Sequence, residues 1–342
     1  MTAPAATAGG ATAGVAPLLD VSDLRVSFRT RGTPASVVNG LDFTIGRGET
    51  VAVVGESGSG KSVSALSLTG LLPSPPAVVT GSAVFDGTEL VGAAPEVLRG
   101  IRGRRIGVVF QDPMTSLNPV LTVGRQLTEH LELHLGLSGS DARDRAVDLL
   151  RLVGIPAAER RLGDYPHQFS GGMRQRVLIA IGLACEPELL IADEATTALD
   201  VTTQAQIVEL VGELQERLGL AVLWISHDLG VVARIAHRVL VMYAGRIVEQ
   251  APVDALYAAP HHPYTVGLLR ALPVVGRAEQ ELETIPGLPP DPRALPAGCS
   301  FWPRCPQRLD PRCEHEMPEL REVGPGHRVR SFYDDPRGGG RG

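Results

Sequence analysis

A glycine-rich loop at residues 55–62, Gly-Glu-Ser-Gly-Ser-Gly-Lys-Ser, has the residue types needed to hold phosphate groups. Glycines let backbone N–H groups turn inward around phosphate oxygens, Lys61 adds a positive charge, and Ser62 offers a hydroxyl to Mg²⁺. The loop follows an apolar run at 51–54 and precedes a helix-compatible run at 61–72, so a helix N-terminus points at the anion. This context predicts that the chain binds a nucleoside triphosphate.

A second apolar run ends in two carboxylates, in the sequence Leu-Leu-Ile-Ala-Asp-Glu at residues 189–194. A buried strand can place Asp193 beside the phosphate loop, since ligands of such sheets bind at the carboxyl ends of the strands. Asp193 would then hold Mg²⁺, directly or through water, and Glu194 would orient or deprotonate the attacking water. Acidic pairs also occur in turns and caps, so the pair alone leaves both interpretations open.

A Ser-Gly-Gly segment precedes this acidic pair, within Phe-Ser-Gly-Gly-Met-Arg-Gln-Arg at residues 169–176. Ser170 can cap a helix running to Cys185, because a serine hydroxyl accepts a hydrogen bond from the first helical turn. Gly171 and Gly172 leave their backbone amides open to an anion. On its own, the segment is typical of an ordinary helix cap.

The elements that position these residues alternate along the chain. Residues 18–28 alternate apolar and polar side chains, as a half-buried strand does, and a turn-rich segment follows. Short aliphatic runs indicate buried strands at 51–54, 106–110, 189–192, 222–225 and 239–242. Helical patterns occur at 61–72, 122–135, 141–153, 171–185, 201–218 and 229–236. This alternation predicts an α/β fold with a parallel or mixed sheet.

The composition argues against several classes of protein. Over 342 residues the formal net charge is −6, which offers no overall positive surface for nucleic acid. No uninterrupted apolar stretch approaches the roughly 18 residues that a membrane-spanning helix needs. Residues 1–17 are mostly Ala, Gly, Thr and Pro, without a basic start or an apolar core. We therefore expect a disordered tail rather than a secretion signal, and a cytoplasmic protein.

Together these motifs resemble the ATP-binding subunit of an ATP-binding-cassette (ABC) transporter, over residues 18–255. They occur in the order and with the spacing of that family. The matching motifs are Walker A at 55–62, the Q-loop glutamine Gln111, the signature at 169–173, Walker B at 189–194, the D-loop ending in Asp200, and the switch histidine His227. The resemblance implies an ATPase whose P-loop nucleotide-binding domain has a mixed sheet core and a helical subdomain.

The resemblance also implies that two cassettes pair head to tail, with ATP between them. Walker A of one cassette would face the signature of the other, so neither would hold a finished site alone. The expected signature contacts are Ser170, Gly171, Gly172 and Met173. The expected ATP-binding residues on the Walker A side are Phe28, Gly55, Glu56, Ser57, Gly58, Ser59, Gly60, Lys61, Ser62, Val63 and Gln111.

Catalytic roles follow from the same resemblance. Lys61 would neutralise charge on the β- and γ-phosphates, His227 would contact the γ-phosphate, and Glu194 would act on water. The expected Mg²⁺ ligands are Ser62, Gln111 and Asp193. Phe28 would stack on adenine, although the alternating strand also explains it as a core residue.

Several stretches resemble the oligopeptide/dipeptide importer branch of the family. They are 55–63, 110–119, Met173 of the signature, His-Pro-Tyr-Thr at 262–265, Ile-Pro-Gly at 285–287 and Gly-Cys-Ser-Phe-Trp-Pro-Arg-Cys-Pro at 298–306. The branch implies uptake of peptides, with nickel and glutathione as minority cargos. It also implies two transmembrane permease subunits, a second ABC ATPase that is an identical copy or a sister chain, and an extracytoplasmic substrate-binding protein. The chain would then lie peripherally on the cytoplasmic face of the cell membrane, without a nucleic-acid partner.

Two alternative functions would require features that differ from those of an importer. A soluble cassette ATPase acting on DNA or ribosomes would be expected to carry a coiled-coil insertion or two cassettes in one chain, and the sequence shows neither. A regulatory nucleotide sensor would be expected to lack Glu194 or His227, and both are present. Import is therefore the favoured function.

Three cysteines form a C-x5-C-x7-C pattern near the C-terminus, at Cys299, Cys305 and Cys313. Zinc sites usually begin with closer pairs, and a stable disulfide is disfavoured in a reducing cytosol. In the resembling branch these thiols, with a fourth further on, would hold an iron–sulfur cluster of the 4Fe–4S type. This chain has Ser331 at the fourth position, so the alternatives of a cluster, a zinc ion and free structural thiols stay open.

These observations predict a domain plan. Residues 18–258 would form the nucleotide-binding domain, with a helical subdomain at about 112–175. Residues 259–335 are rich in proline and would form an irregular C-terminal module, and 336–342 a flexible tail. His261 and His262 lie before a proline and are interpreted as a hinge or surface pair rather than metal ligands.

Overall fold

The computed structural model describes residues 16–197, 199–272 and 284–333. The tail predicted at the N-terminus lies, up to residue 15, outside the described residues, as does the tail predicted at 336–342. Among the described residues, none of the helices combines the length and the apolar character that crossing a bilayer requires.

The strands and helices follow the predicted alternation, with additions. The strands are β1 (Leu19–Phe28), β2 (Ala35–Ile45), β3 (Thr50–Val54), β4 (Ala77–Phe85), β5 (Thr88–Glu89), β6 (Ile106–Val109), β7 (Leu189–Asp193), β8 (Ala221–Ser226), β9 (Arg238–Tyr243), β10 (Arg246–Pro252), β11 (Leu320–Gly324) and β12 (His327–Arg330). The α-helices are α1 (Lys61–Leu68), α2 (Pro95–Ile101), α3 (Pro113–Ser116), α4 (Val123–Leu135), α5 (Gly139–Leu152), α6 (Ala158–Arg161), α7 (Gly171–Gly182), α8 (Val201–Leu218), α9 (Leu229–Ile235), α10 (Val253–Ala258) and α11 (Pro263–Arg270).

A mixed sheet forms the centre of the molecule. Its strand order within the described residues is β11-β12-β10-β9-β3-β8-β7-β6. Strands β6 to β9 and β3 are parallel, whereas β10, β12 and β11 add antiparallel pairs at one edge. Every residue of β3 and of β7 is buried, which explains why these strands read as continuous aliphatic runs. The α/β class and the mixed sheet core are as predicted.

The two faces of this sheet carry different layers. Val51 and Val53 of β3 pack on one face with α1 and a second, antiparallel sheet of order β2-β1-β4-β5. Ala52 and Val54 face the other way, into the core that includes α4 to α9. Side chains alternate along a strand, so one short strand contributes to both cores. This sandwich fixes the carboxyl ends of β3, β7 and β8 at the same edge.

The ends of most predicted helices agree with the observed ends to within a few residues, and the bounds of α8 are those predicted. Asp200 caps its start by accepting a hydrogen bond from the N–H of Thr203, and Gly219 ends it in a left-handed conformation. The prediction of a turn-rich segment after Phe28 is wrong over much of its length, since residues 35–45 form β2. That strand pairs with β1, a contact that local sequence does not signal.

The region after residue 258 is not irregular throughout. It contributes α11 and, through β12, a strand pair with β10 that extends the central sheet. Phe301 and Tyr264 from this region belong to the main hydrophobic core. The boundary at 258 stays a prediction, but the sheet and the core run continuously across it.

The interpretation of His262 as a hinge or surface residue is wrong. Its side chain is 2% exposed, and its Nδ1 accepts a hydrogen bond from the N–H of Tyr264 at the start of α11. The backbone N–H groups of His261 and His262 both donate to the carboxylate of Glu249, which is fully buried. His327 of β12 binds the same carboxylate at 2.7 Å. The histidine pair thus helps to join the C-terminal region to β10.

This burial predicts acid sensitivity. Burial lowers the pKa of His262 to about 4, with Arg330 acting in the same direction and Glu249 opposing it. Between pH 7 and pH 4 the histidine is therefore protonated in the unfolded chain but stays neutral in the folded chain. Its contribution lowers the free energy of unfolding by up to about 3 kcal/mol over this range. The variant His262→Asn keeps an acceptor for the Tyr264 N–H but cannot titrate. We therefore expect its free energy of unfolding, measured with denaturant, to depend less on pH over this range than that of the original chain.

The control is His315→Asn, because the His315 side chain is 79% exposed and its replacement should leave the slope unchanged. Parallel pH curves for the original chain and His262→Asn would contradict the prediction, whatever the offset between them.

Candidate functional site

The phosphate loop lies at the carboxyl end of β3 and leads into α1, as the motif requires. Gly55 has φ 153° and Gly60 has φ 100°, both in the region that favours glycine. A Cβ on Gly55 would lie 2.2 Å from the Met242 carbonyl oxygen, and one on Gly60 would lie 2.7 Å from the Val37 carbonyl oxygen. Two glycines of the motif are therefore required by close backbone packing against neighbouring strands, apart from any ligand.

Lys61 is folded back into its own loop. Its Nζ donates to the carbonyl oxygens of Gly55 at 2.8 Å and Glu56 at 3.1 Å, and its side chain is 4% exposed. Burial lowers the pKa of Lys61, while the nearby carboxylates of Glu194 and Asp193 act against that shift. The ammonium is thus held at the loop, with backbone oxygens as its partners.

Asp193 and Ser62 meet across the two sides of the site. The Ser62 hydroxyl donates to Asp193 Oδ1 at 2.8 Å, joining the first turn of α1 to the end of β7. Burial raises the pKa of Asp193, and the hydrogen bond from Ser62 partly offsets that effect. A hydroxyl and a carboxylate in contact are hard oxygen donors of the kind that Mg²⁺ prefers, so this pair fits the expected metal.

Glu194 lies at the centre of the polar groups. Its Oε2 accepts a hydrogen bond from Gln111 Nε2 at 2.8 Å and lies 3.5 Å from His227 Nδ1, while Oε1 lies 4.0 Å from Lys61 Nζ. Its φ of 48° is unusual for a residue other than glycine. Strained backbone of this kind is concentrated at functional sites, where the surrounding structure holds a side chain in place.

These groups surround one cavity of about 570 Å³. Its lining residues are Val37, Ser57, Gly58, Gly60, Lys61, Ser62, Val63, Gln111, Glu194 and His227. Of the predicted residues of the phosphate loop and the acidic pair, Gly55, Glu56, Ser59 and Asp193 do not line this cavity. Val37 was not predicted, because β2 itself was missed. Phe28, expected to stack on adenine, is absent from the lining and packs with the core of the antiparallel sheet.

The signature residues lie outside this cavity. Ser170 is exposed and caps α7, with its hydroxyl accepting from the N–H of Met173 at 3.3 Å. Gly171 is also exposed, and a Cβ there would find no atom closer than 3.7 Å. Asp200, at the end of the D-loop, caps α8 and is likewise exposed.

The cysteines do not support an iron–sulfur cluster. All four are free thiols, and no group of three or more His, Cys, Asp or Glu side chains in the described residues is placed to hold a metal ion. Burial, together with the neighbouring Cys299, raises the pKa of Cys313 to about 12. Ser331, expected at the fourth position, donates its hydroxyl hydrogen to the Tyr333 carbonyl and accepts from the Tyr333 N–H.

Comparison with known proteins agrees with the geometry of the site. Residues 38–197 match the model of the ABC transporter family, and residues 248–317 match the C-terminal region of oligopeptide/dipeptide transporters. A bacterial ABC transporter cassette solved as a dimer aligns with a TM-score of 0.61 at 29% identity, over 69% of this chain and 98% of that one. The fold and site thus define an ABC-type ATPase.

Relatives that align over almost their full length indicate the branch of the family. The oligopeptide transport ATP-binding protein OppD of Bacillus subtilis (strain 168) is 49% identical over 324 residues, which cover 94% of this chain and 90% of that protein. A second such protein of the same organism, AppD, is 48% identical over 322 residues, covering 94% of this chain and 98% of that one. This chain belongs to the ATP-binding subunits of ABC transporters, in the oligopeptide/dipeptide branch.

The packing around Gly55 yields a prediction. In Gly55→Ala the new Cβ clashes with the Met242 carbonyl, so the loop must shift, and we expect the affinity for ATP to fall at least about tenfold and the free energy of unfolding by roughly 3 kcal/mol. Binding of a fluorescent ATP analogue to the full chain and denaturant unfolding measure the two effects.

The matched control is Gly212→Ala in α8, where a Cβ meets nothing within 4 Å. Alanine is favoured over glycine inside a helix, so this variant should bind the analogue normally and be no less stable. Unchanged binding by Gly55→Ala would contradict the packing argument.

Proposed function

We propose that this chain is the ATP-hydrolysing motor of a peptide importer, and that its ATP site is completed by a second cassette. One observation carries the second part. The cavity brings together Lys61, Ser62, Gln111, Glu194 and His227, whereas Ser170 and Gly171 of the signature lie exposed outside it. A triphosphate bound in this cavity would thus present its γ-phosphate toward groups that another copy or a sister chain must supply.

Each polar group in the cavity has a role in this proposal. Lys61 would exchange its carbonyl partners for the β- and γ-phosphates, and the Ser62 and Asp193 oxygens, with Gln111, would hold Mg²⁺. Bound Mg²⁺ supplies charge neutralisation on the phosphates. Glu194 orients and deprotonates the attacking water, and His227 contacts the γ-phosphate from the end of β8. Positioning and charge stabilisation are the main sources of catalysis in phosphoryl transfer.

The partners follow from the family. Two permease subunits would receive the motion of the paired cassettes at the cytoplasmic face of the membrane, and an extracytoplasmic binding protein would deliver the cargo. Relatives named for oligopeptide transport and the match of residues 248–317 to the transporter C-terminal region support peptides as that cargo. Co-purification from membranes, followed by mass spectrometry of the subunits and uptake of labelled peptides, tests both statements.

The role of Glu194 gives a direct test. In Glu194→Gln the side chain keeps its size, and its amide oxygen can still accept the hydrogen bond from Gln111, but it can no longer act as a base. We expect ATP turnover by the assembled importer to fall at least about 100-fold while ATP binding persists. Glu213→Gln, a neutralised glutamate on the exposed side of α8, is the control and should keep full activity. Full turnover in Glu194→Gln would refute the assignment.

Completion of the site by a partner gives a second test. Gly171→Asp has room within its own chain, so the fold and ATP binding by the isolated chain should be retained. The added carboxylate would face the triphosphate of the opposite cassette, and we expect hydrolysis by the importer to drop more than about tenfold from charge repulsion. Gly212→Asp places the same charge on α8 and should be active. Equal activity of the two variants would contradict a shared site.

A further inference from the structure

The second residue of the phosphate loop, Glu56, points its side chain away from the phosphate cavity. Its carboxylate accepts two hydrogen bonds from the guanidinium of Arg304, from Nη1 to Oε2 at 2.7 Å and from Nη2 to Oε1 at 3.1 Å. The Arg304 side chain is 6% exposed and that of Glu56 is 26% exposed. A charged pair of this two-pronged geometry is among the stronger hydrogen-bonded contacts in proteins.

The backbone of Glu56 is held as well. Its N–H donates to the Tyr264 hydroxyl at 2.8 Å, and its carbonyl oxygen accepts from Lys61 Nζ. The ring of Tyr264 is fully buried and packs against Tyr243 and Phe301. Two residues from the C-terminal region, Arg304 and Tyr264, therefore fix a residue in direct contact with the ammonium that is proposed to bind phosphate.

Arg304 is itself rigidly placed. Its Nε donates to the Pro286 carbonyl at 2.9 Å, its Nη2 to the Ile285 carbonyl at 3.1 Å and its Nη1 to the Tyr243 hydroxyl at 3.3 Å. Burial disfavours the charged guanidinium, but hydrogen bonds to Glu56 and Tyr243 outweigh that cost and raise the pKa of Arg304. The cation is thus held in one place by several groups that do not depend on Glu56.

We propose that Arg304 is a positioning residue for ATP binding, which anchors the phosphate loop through Glu56 and cancels the negative charge that Glu56 would otherwise present to the triphosphate. This inference rests on the proposed role of residues 55–62 in ATP binding. It gives the C-terminal region a part in nucleotide binding that needs no metal at its cysteines.

The electrostatic half of the proposal makes a specific prediction. A carboxylate within the loop that receives a polyanion opposes binding unless a cation neutralises it, and partial burial keeps that repulsion from being fully screened. Removing Arg304 should therefore be harmful because Glu56 remains charged. Removing both charges should be less harmful than removing Arg304 alone.

The test compares KM for MgATP and kcat in the assembled importer. We expect Arg304→Met to raise KM about tenfold, equivalent to about 1.4 kcal/mol, with kcat changed less than about threefold. Arg304→Lys keeps the charge but loses the two-pronged contact, so its KM should rise only about threefold. In the double variant Arg304→Met with Glu56→Gln, KM should return to within about threefold of the original.

The matched control is Arg238→Met. Arg238 makes a similar two-pronged contact with Glu49, at 2.9 and 3.1 Å, at the opposite end of β3 from the loop. Its loss should lower thermal stability without changing KM. A KM increase in Arg238→Met equal to that in Arg304→Met would attribute the effect to general destabilisation and overturn the proposal.

Two further outcomes overturn it. An unchanged KM in Arg304→Met, or a double variant as impaired as Arg304→Met, would show that neutralisation of Glu56 does not matter. Lys61→Ala, measured alongside, separates this inference from the proposed function. If Lys61→Ala loses ATP binding and Arg304→Met does not weaken it, only this inference fails, whereas normal binding by Lys61→Ala would refute the role of the loop itself.

Discussion

Close packing of the loop after β3 against the backbone of β9 and β2 is the constraint on which the site depends. The loop after β3 passes so near to β9 that Gly55 has no room for a side chain, and Gly60 is equally confined by the Val37 carbonyl. This confinement sets the start of α1 and therefore the direction of Lys61 and Ser62. The adjacent strands then bring Asp193, Glu194 and His227 to the same edge, because parallel strands end together.

The sequence was sufficient for the parts of the site that are built from local geometry. The spacing of glycines, the lysine and the acidic pair predicted which groups would meet, and caps such as Asp200 and Gly219 marked the ends of a long helix. It was insufficient where contacts join distant segments. The local sequence does not show that residues 35–45 pair with β1 and bring Val37 to the cavity. It also does not show that Glu249 is fully buried and bonded to His262 and His327.

The cysteines show a different limit. Spacing and resemblance suggested a cluster, but spacing along the chain does not decide whether side chains converge with the right donors. In the structure burial raises the pKa of the Cys313 thiol and Ser331 is engaged with Tyr333, while Glu249 and the aromatic packing of Tyr264 and Phe301 hold the region. Contacts that join the two parts of the chain thus come from buried polar and aromatic groups that belong to no recognisable motif.

The position of Lys61 has a consequence for how affinity should be understood. Its ammonium already donates hydrogen bonds to two carbonyl oxygens of its own loop, so a triphosphate that binds as proposed would have to replace these partners. On that proposal binding is an exchange of hydrogen-bond partners, and the affinity for nucleotide reflects the difference in free energy between the two sets of contacts. The two carbonyl oxygens thus hold the lysine within the folded loop without any contribution from a phosphate.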